Sequence, residues 1–374
     1  MDTIAECRKI VDQPYSYLQK LKEKSGKRMV GYVCSYTPEE IIMAAGAHPF
    51  RLFGTKQNIH LADSHLQSYC CSVVRGILEE GLSRRIDFLD GMIFPHSCDS
   101  IQRLSDIWRM NIPFGFHLDL VLPVKLNTLS AQDYMIDVLK KFSTDIGRTL
   151  QVEVTDNALR KAITTTNAIR QSIKDIYDLR SQHPRLMPGS DLYTLVRASM
   201  IMDREPLVDL LSETLSELKA KAGEEKADAS LKRIILAGGI CNHPDIYPMI
   251  EDAGGAVVWD DFCTGARYFT ELVQEGADPI ARIAGRLINR VVCPAKHTDL
   301  DGRAKHIVRL VKEENARGVI FLLFKFCDPH AFDYPDIKKY MDEAGIPVLL
   351  LEIDDPLPAE GQLKTRFEAF LEMV

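Results

Sequence analysis

A chain of 374 residues, 46% hydrophobic and 26% charged, has the make-up of a globular protein and is long enough for roughly two or three separate cores. The net charge of −7 argues against a broad basic footprint for nucleic acid. No apolar run reaches the about 18 residues that a membrane span needs, and the opening Met1-Asp-Thr-Ile-Ala-Glu-Cys-Arg8 lacks an apolar signal core. A cytoplasmic protein with no membrane and no nucleic-acid partner is expected. Nine cysteines in such a protein are thiols or ligands rather than disulfides.

In chain order, Arg28-Met-Val-Gly-Tyr-Val33 predicts a first strand. Thr37-Pro38-Glu39-Glu40 predicts a helix start, with Thr37 as cap, Pro38 at the first position and acid in the first turn. That helix stops at Gly46, and His48-Pro-Phe-Arg-Leu-Phe53 returns as a strand. Cys71 opens a helix over 72–80, residues 88–94 form a strand, and 99–110 form a helix. From about 131 to 220 apolar residues recur three and four apart, as in Ala158-Leu-Arg-Lys-Ala-Ile-Thr-Thr-Thr-Asn-Ala-Ile-Arg170, which predicts long amphipathic helices. Residues 219–232, rich in Lys, Glu and Ala, predict an exposed link or helix end. Strands then recur at Arg233-Ile-Ile-Leu-Ala237 before Gly238-Gly239, at Ala256-Val-Val-Trp259 before Asp260-Asp261, at 318–324, and at Val348-Leu-Leu-Leu-Glu352 before Asp354-Asp355-Pro356. Near-continuous apolar strands alternating with helices predict parallel sheets covered on both faces. The expected class is α/β: two parallel-sheet Rossmann-like domains with a helical segment between them, bounded at 1–130, 131–225 and 226–374.

Three cysteines share one setting. Cys71 opens a helix, Cys98 closes the apolar run Gly91-Met-Ile-Phe-Pro95, and Cys327 closes 318–324. Carboxyl ends of strands line the ligand crevice of open α/β sheets, and helix N-termini favour thiolate. Three thiols in one crevice predict a metal or iron–sulfur site. No CxxC pair exists, which disfavours a zinc ribbon or a ferredoxin-type run. In Pro95-His96-Ser97-Cys98-Asp99-Ser100, Asp99 or Ser100 can cap the following helix, and His96 is a candidate proton donor. Asp260 and Asp261 can cap the next helix, while Thr264 or Arg267 could hold an anionic or carbonyl-bearing substrate. Cys293-Pro294-Ala-Lys-His297 has a metal-like spacing but reads as a structural turn, with Pro at a helix start. Gly238-Gly239 lacks the full dinucleotide fingerprint, and there is no GKS or GKT phosphate loop, so the chain is not expected to hydrolyse ATP itself.

With these residues laid out, the chain resembles a subunit of the 2-hydroxyacyl-CoA dehydratase and benzoyl-CoA reductase family over nearly its whole length. The resemblance is carried, in the family order, by Gly31-Tyr-Val-Cys-Ser-Tyr-Thr-Pro-Glu-Glu-Ile41, Ser68-Tyr-Cys-Cys-Ser-Val-Val-Arg75, Asp90-Gly-Met-Ile-Phe-Pro-His-Ser-Cys-Asp-Ser100, Trp259-Asp-Asp-Phe-Cys-Thr-Gly-Ala-Arg267 and Lys325-Phe-Cys-Asp-Pro-His-Ala-Phe-Asp-Tyr-Pro335. It implies a 4Fe–4S cluster held by three cysteines, which by motif position are Cys71, Cys98 and Cys327. Cys70 is the neighbouring alternative to Cys71, and Cys34 stands in a motif near the site. Within the motifs, His96 and Glu40 are candidates for catalysis, and Ser35, Thr264 and Arg267 for substrate binding. The implied partners are a related second subunit, a separate ATP-dependent iron–sulfur activator and an acyl-CoA. The implied reaction is loss of water from a 2-hydroxyacyl-CoA through a ketyl radical after one-electron activation. Two alternatives stay open: a benzoyl-CoA reductase-type subunit that reduces an aromatic acyl-CoA, and a homodimeric double-cubane cluster reductase with a six-cysteine pocket.

Overall fold

Eight short runs among the described residues, most of them apolar, become strands, and their burial shows why they are parallel. Met29–Tyr32 (β1), His48–Arg51 (β2) and Gly91–Pro95 (β3) are buried at every position, as a strand covered on both faces must be. Phe116–Leu120 (β4) is half-exposed and lies at the sheet edge. The order is β2-β1-β3-β4, all parallel, with Gly31 opposite Met92 and Ile93 opposite Leu118. Lys232–Gly238 (β5), Gly255–Asp261 (β6), Gly318–Phe324 (β7) and Val348–Ile353 (β8) repeat the same order as β6-β5-β7-β8, again parallel. The α/β class with two parallel sheets is therefore present. The computed structural model describes residues 2–55, 58–223, 230–291, 293–354 and 357–374.

Between the sheets in sequence run four helices, Leu129–Leu150, Asp156–Gln182, Gly189–Ser199 and Arg204–Ala222. The first two start at threonine caps, Thr128 and Thr155, whose hydroxyls accept the backbone N–H three residues on at 3.2 Å. Their buried stripes follow the three-and-four spacing, as in Leu159, Ala162, Thr166, Ile169 and Ile173. Of the expected link at 219–232, residues 224–229 lie outside the described residues, as do Asp355 and Pro356 after β8.

Some boundaries differ from the sequence expectation. The helix after β1 is Glu39–Ala44 with Pro38, not Thr37, at the cap. Thr37 is instead drawn into a turn in which its N–H donates to Cys34 O at 3.0 Å. Cys98 itself occupies the cap of the helix Asp99–Asn111, with Asp99 inside the first turn. Strand β4 was not foreseen, because Phe-His-Leu-Asp-Leu is a mixed edge run rather than an apolar one.

In a sheet of order 2-1-3-4 the strand order reverses between β1 and β3, with successive strands added outward on opposite sides, and ligands bind beyond the carboxyl ends there. Both sheets have this switch point, the second between β5 and β7. Gly238 ends β5 at φ 142°, where an added Cβ would stand 2.1 Å from Leu322 O on β7. Gly238→Ala is expected to cost about 1–3 kcal/mol, read as a lower urea midpoint at unchanged slope.

Candidate functional site

The two switch points open onto one small pocket of about 100 Å³. Cys34 follows β1, Cys98 follows β3 and Cys327 follows β7, so adjacent strand ends aim their loops at it. Cys71 enters at the end of the long connection from β2. Each of Cys71, Cys98 and Cys327 occupies the N-cap of a helix, Ser72–Leu82, Asp99–Asn111 and Asp328–Glu343 respectively. The structure thus brings together the three cysteines singled out in the sequence. All three are half-buried, whereas Cys70 is buried and does not line the pocket.

The electrostatics of these thiols follow from that crowding. Burial pushes Cys71 up to about 11, against the backbone N–H of Val74, which favours the thiolate. Burial, then negative charge on Cys71, pushes Cys327 up to about 12 and raises Cys98 as well. Without a cation these groups keep their protons at neutral pH. A metal centre would displace those protons and relieve the mutual repulsion of the three sulfurs.

Among the described residues no group of three or more His, Cys, Asp or Glu converges closely enough to hold a metal ion. A lone thiolate-bound ion needs every sulfur at about 2.3 Å from one point. Sulfurs set around a pocket fit a larger inorganic core better, and the donor set is of the kind that holds iron–sulfur clusters. The residues present fit such a group.

Three further cysteines line the same pocket: Cys34, Cys263 and Cys293. Cys263 follows β6, and Cys293 comes from the loop after the helix Pro279–Asn289. Hydrogen bonding from Cys293, with the Arg267 guanidinium 3.3 Å from its sulfur, holds the Cys263 thiol well below its ordinary range. His330 also lines the pocket, and burial lowers it to about 4, so its ring is neutral. Cys263 and Cys293 lay within motifs visible in the sequence, but nothing in their spacing placed them beside Cys71.

None of the other candidates, His96, Glu40, Ser35, Thr264 and Arg267, lines this pocket or the cleft outside it. His96 Nε2 pairs with Asp119 Oδ1 at 2.8 Å. Glu40 is 1% exposed and bound to Arg170 at 2.6 Å and to Thr166 Oγ1 at 3.2 Å. Ser35 Oγ accepts from Arg290 at 2.8 Å. Thr264 Oγ1 accepts the backbone N–H of Cys241 at 3.1 Å. Arg267 is fully enclosed and donates to Asp261 at 3.1 Å and to the carbonyls of Gly238 and Gly239 at 2.6 and 3.0 Å. Buried polar groups must find partners, and here the protein itself supplies them. The two acids that end β6 divide in the same way: Asp260 accepts the N–H of Ala266 at 2.8 Å at the start of the helix Ala266–Phe269, while Asp261 holds Arg267 and Arg303.

Outside the pocket lies an open cleft of about 580 Å³, which shares Ser97, Cys98, Cys293, Ala295 and Pro329 with it. Its walls are mixed in charge, lined by Lys296 and Arg303 as well as by Asp99 and Asp328. Its volume falls within the range of small-molecule sites. No helix among the described residues is long and apolar enough to cross a membrane.

Comparison with known proteins places the chain in a family. The chain is 28% identical to the (R)-phenyllactyl-CoA dehydratase beta subunit of Clostridium sporogenes, over 97% of this chain and 96% of that one. It is 29% identical to a benzoyl-CoA reductase subunit of Thauera aromatica, over 93% and 92% of the two chains. It is also 29% identical to the beta subunit of (R)-2-hydroxyglutaryl-CoA dehydratase of Acidaminococcus fermentans, over 99% and 98%. Residues 34–374, from the first pocket cysteine to the last residue, match the family model described as 2-hydroxyglutaryl-CoA dehydratase, D-component, and the chain belongs to that family.

Proposed function

We propose that this chain is the cluster-bearing subunit of a 2-hydroxyacyl-CoA dehydratase. The observation that carries the reading is the meeting of Cys71, Cys98 and Cys327, each at a helix N-cap, around one pocket at the carboxyl ends of two parallel sheets. A 4Fe–4S cluster bound by three thiolates would supply one electron at low potential and an iron with an open coordination position. The chain's own residues exclude water around it: Val33, Val73, Val74, Ile77, Ile101 and Phe324 form the apolar wall of the pocket. The outer cleft holds the acyl-CoA and leads it to Cys98 and Cys293, which belong to both cavities. The buried pairs of Ser35 with Arg290, and of Asp261 with Arg267 and Arg303, hold the loops that carry the cysteines.

The partners follow from the same surface. Tyr69, Phe326 and Phe332 are 63%, 48% and 82% exposed and flank Cys71 and Cys327 in sequence, a greasy rim that a related second subunit would cover. A separate ATP-dependent iron–sulfur activator would deliver the electron, in keeping with a chain that carries no GKS or GKT loop. A cytoplasmic setting accords with nine free thiols.

The test uses the chain purified without oxygen together with its related subunit, the activator, ATP and a reductant, offered a panel of CoA thioesters. Conversion of a 2-hydroxyacyl-CoA to the enoyl-CoA is expected. Turnover of an aromatic acyl-CoA to a dienoyl-CoA instead would move the reading to the benzoyl-CoA reductase type. No turnover of any thioester would end both.

One observation favours a second reading. Cys34, Cys263 and Cys293 line the same pocket as the first three cysteines, which is the donor set of a double-cubane cluster reductase acting as a homodimer. Iron analysis separates the two: about four iron atoms per chain for a single cluster, and about twice that for the double one.

A further inference from the structure

Lys296 is a buried cation that neither reading uses. It is 1% exposed and sits in the segment Cys293-Pro294-Ala-Lys-His297. The backbone there is clamped. Lys296 N donates to Cys293 O at 2.8 Å, His297 N donates to Val124 O at 2.8 Å, and Leu126 N donates to His297 O at 2.7 Å. The side chain then reaches inward, and Nζ donates to Leu122 O at 3.2 Å and to His96 O at 3.4 Å. Both carbonyls lie just beyond the carboxyl ends of β4 and β3. An ammonium has three donors, so one is left over.

Its charge is the unusual feature. Arg170, Arg204, Arg267 and Arg303 each face a buried carboxylate. Among the described residues no carboxylate pairs with Lys296; its partners are two neutral carbonyls. Two other cations near the site are bonded in the same neutral way, Arg51 to Cys263 O and Arg290 to Ser35, but these are delocalised guanidiniums. A compact ammonium stripped of water and left without a counter-ion is strongly unfavourable. Burial accordingly pulls the Lys296 amine down, while negative charge on Cys34, then Cys293 and Cys98, pulls it back up. Geometry ties this charge to the cysteines: Nζ bonds the carbonyl of His96, two residues before Cys98, and the Lys296 N–H bonds the carbonyl of Cys293. Lys296 also lines the outer cleft beside Cys98 and Cys293.

We propose that Lys296 is the positioning cation of the inner pocket, a fixed positive charge at its neck that answers a net-anionic, thiolate-bound inorganic core. The inference rests on the cluster reading above. An iron–sulfur core ligated by several thiolates carries net negative charge, and net charge and surroundings set its potential. Reduction adds one more electron, so a nearby cation favours the reduced form. Removing that cation makes the core harder to reduce.

The test compares the full chain, prepared without oxygen, as wild type, Lys296→Met and Lys296→Arg. Iron content, far-UV circular dichroism and the midpoint potential from an EPR-monitored redox titration are measured. With iron retained, Lys296→Met is expected to lower the affinity for the electron about tenfold, a shift of about 59 mV to more negative potential. Lys296→Arg is expected to stay near the parent. Iron lost from Lys296→Met but kept in Lys296→Arg also supports the proposal, because charge alone separates the two. A folded, iron-bearing Lys296→Met with the parental midpoint overturns the role of Lys296 and leaves the cluster reading standing. Iron lost from both folded variants overturns it as well, since shape rather than charge would then matter. A wild-type chain without iron overturns the cluster reading, and with it the anion that Lys296 is proposed to answer.

Discussion

Replacement of Cys71, Cys98 and Cys327 together by alanine is expected to yield a folded chain that holds no iron and no acid-labile sulfide. The thiols are half-buried and border existing empty space, so each loss should cost only about 1 kcal/mol of stability, and the far-UV spectrum should be unchanged. The effect on metal should be complete, because the remaining pocket cysteines do not share the helix N-cap setting. The complementary triple, Cys34→Ser, Cys263→Ser and Cys293→Ser, separates the two cluster readings. With a single cluster the iron content stays at the parental level, and with a double cluster it falls by about half. Full iron in the Cys71, Cys98, Cys327 triple would show that the ligand set has been misassigned.

The second large effect concerns folding. Glu40→Ala is expected to destabilise the protein by about 3–5 kcal/mol, measured by urea unfolding monitored at two wavelengths. Burial alone would raise the carboxyl, yet Arg170, then Arg286, outweigh it and hold Glu40 below the ordinary carboxylate range. Removing the carboxylate leaves Arg170 uncompensated beside Arg286, which burial and Arg170 have already lowered to about 9. Because the folded value lies below the unfolded one, the stabilisation is complete above the ordinary glutamate value of about 4.3 and is lost as pH falls from there through the lower folded value. The difference between parent and Glu40→Ala should therefore shrink in acid. A variant as stable as the parent at pH 7 would show that the pair does not hold this junction. Glu40 was a catalytic candidate on its motif. Any loss of activity in Glu40→Ala must be read against this loss of stability, and Glu40→Gln, which keeps the shape, is the control.

The same contrast runs through the site. Residues 318–324 were legible as a buried strand because seven apolar residues in a row have one economical place in an α/β protein, and β7 spans those positions with every residue buried. Strand β4 was not, because an edge strand with His117 and Asp119 facing partly outward carries a weaker local signal. Cys71, Cys98 and Cys327 could be singled out because each stands at a helix start, a setting written in neighbouring residues. The company they keep could not be read in this way. Cys263 and Cys293 have no such mark, and they reach the pocket only through the return of β6 and a loop after a helix.

The local chain thus already specified the α/β class, the run of strands and helices, and the three thiols at strand and helix ends, since hydrophobic periodicity and capping act over a few residues. Folding alone settled which polar groups meet. Arg290 meets Ser35 across 255 positions, and Arg51 meets the Cys263 carbonyl across 212. Those contacts turned Ser35, Thr264, Arg267 and Glu40 toward protein partners and left Lys296 bonded to two neutral carbonyls in the cleft that Cys98 and Cys293 also line. Such pairings depend on long-range closure of the two sheets against each other, and a buried polar side chain reveals its task only when its partner is in place.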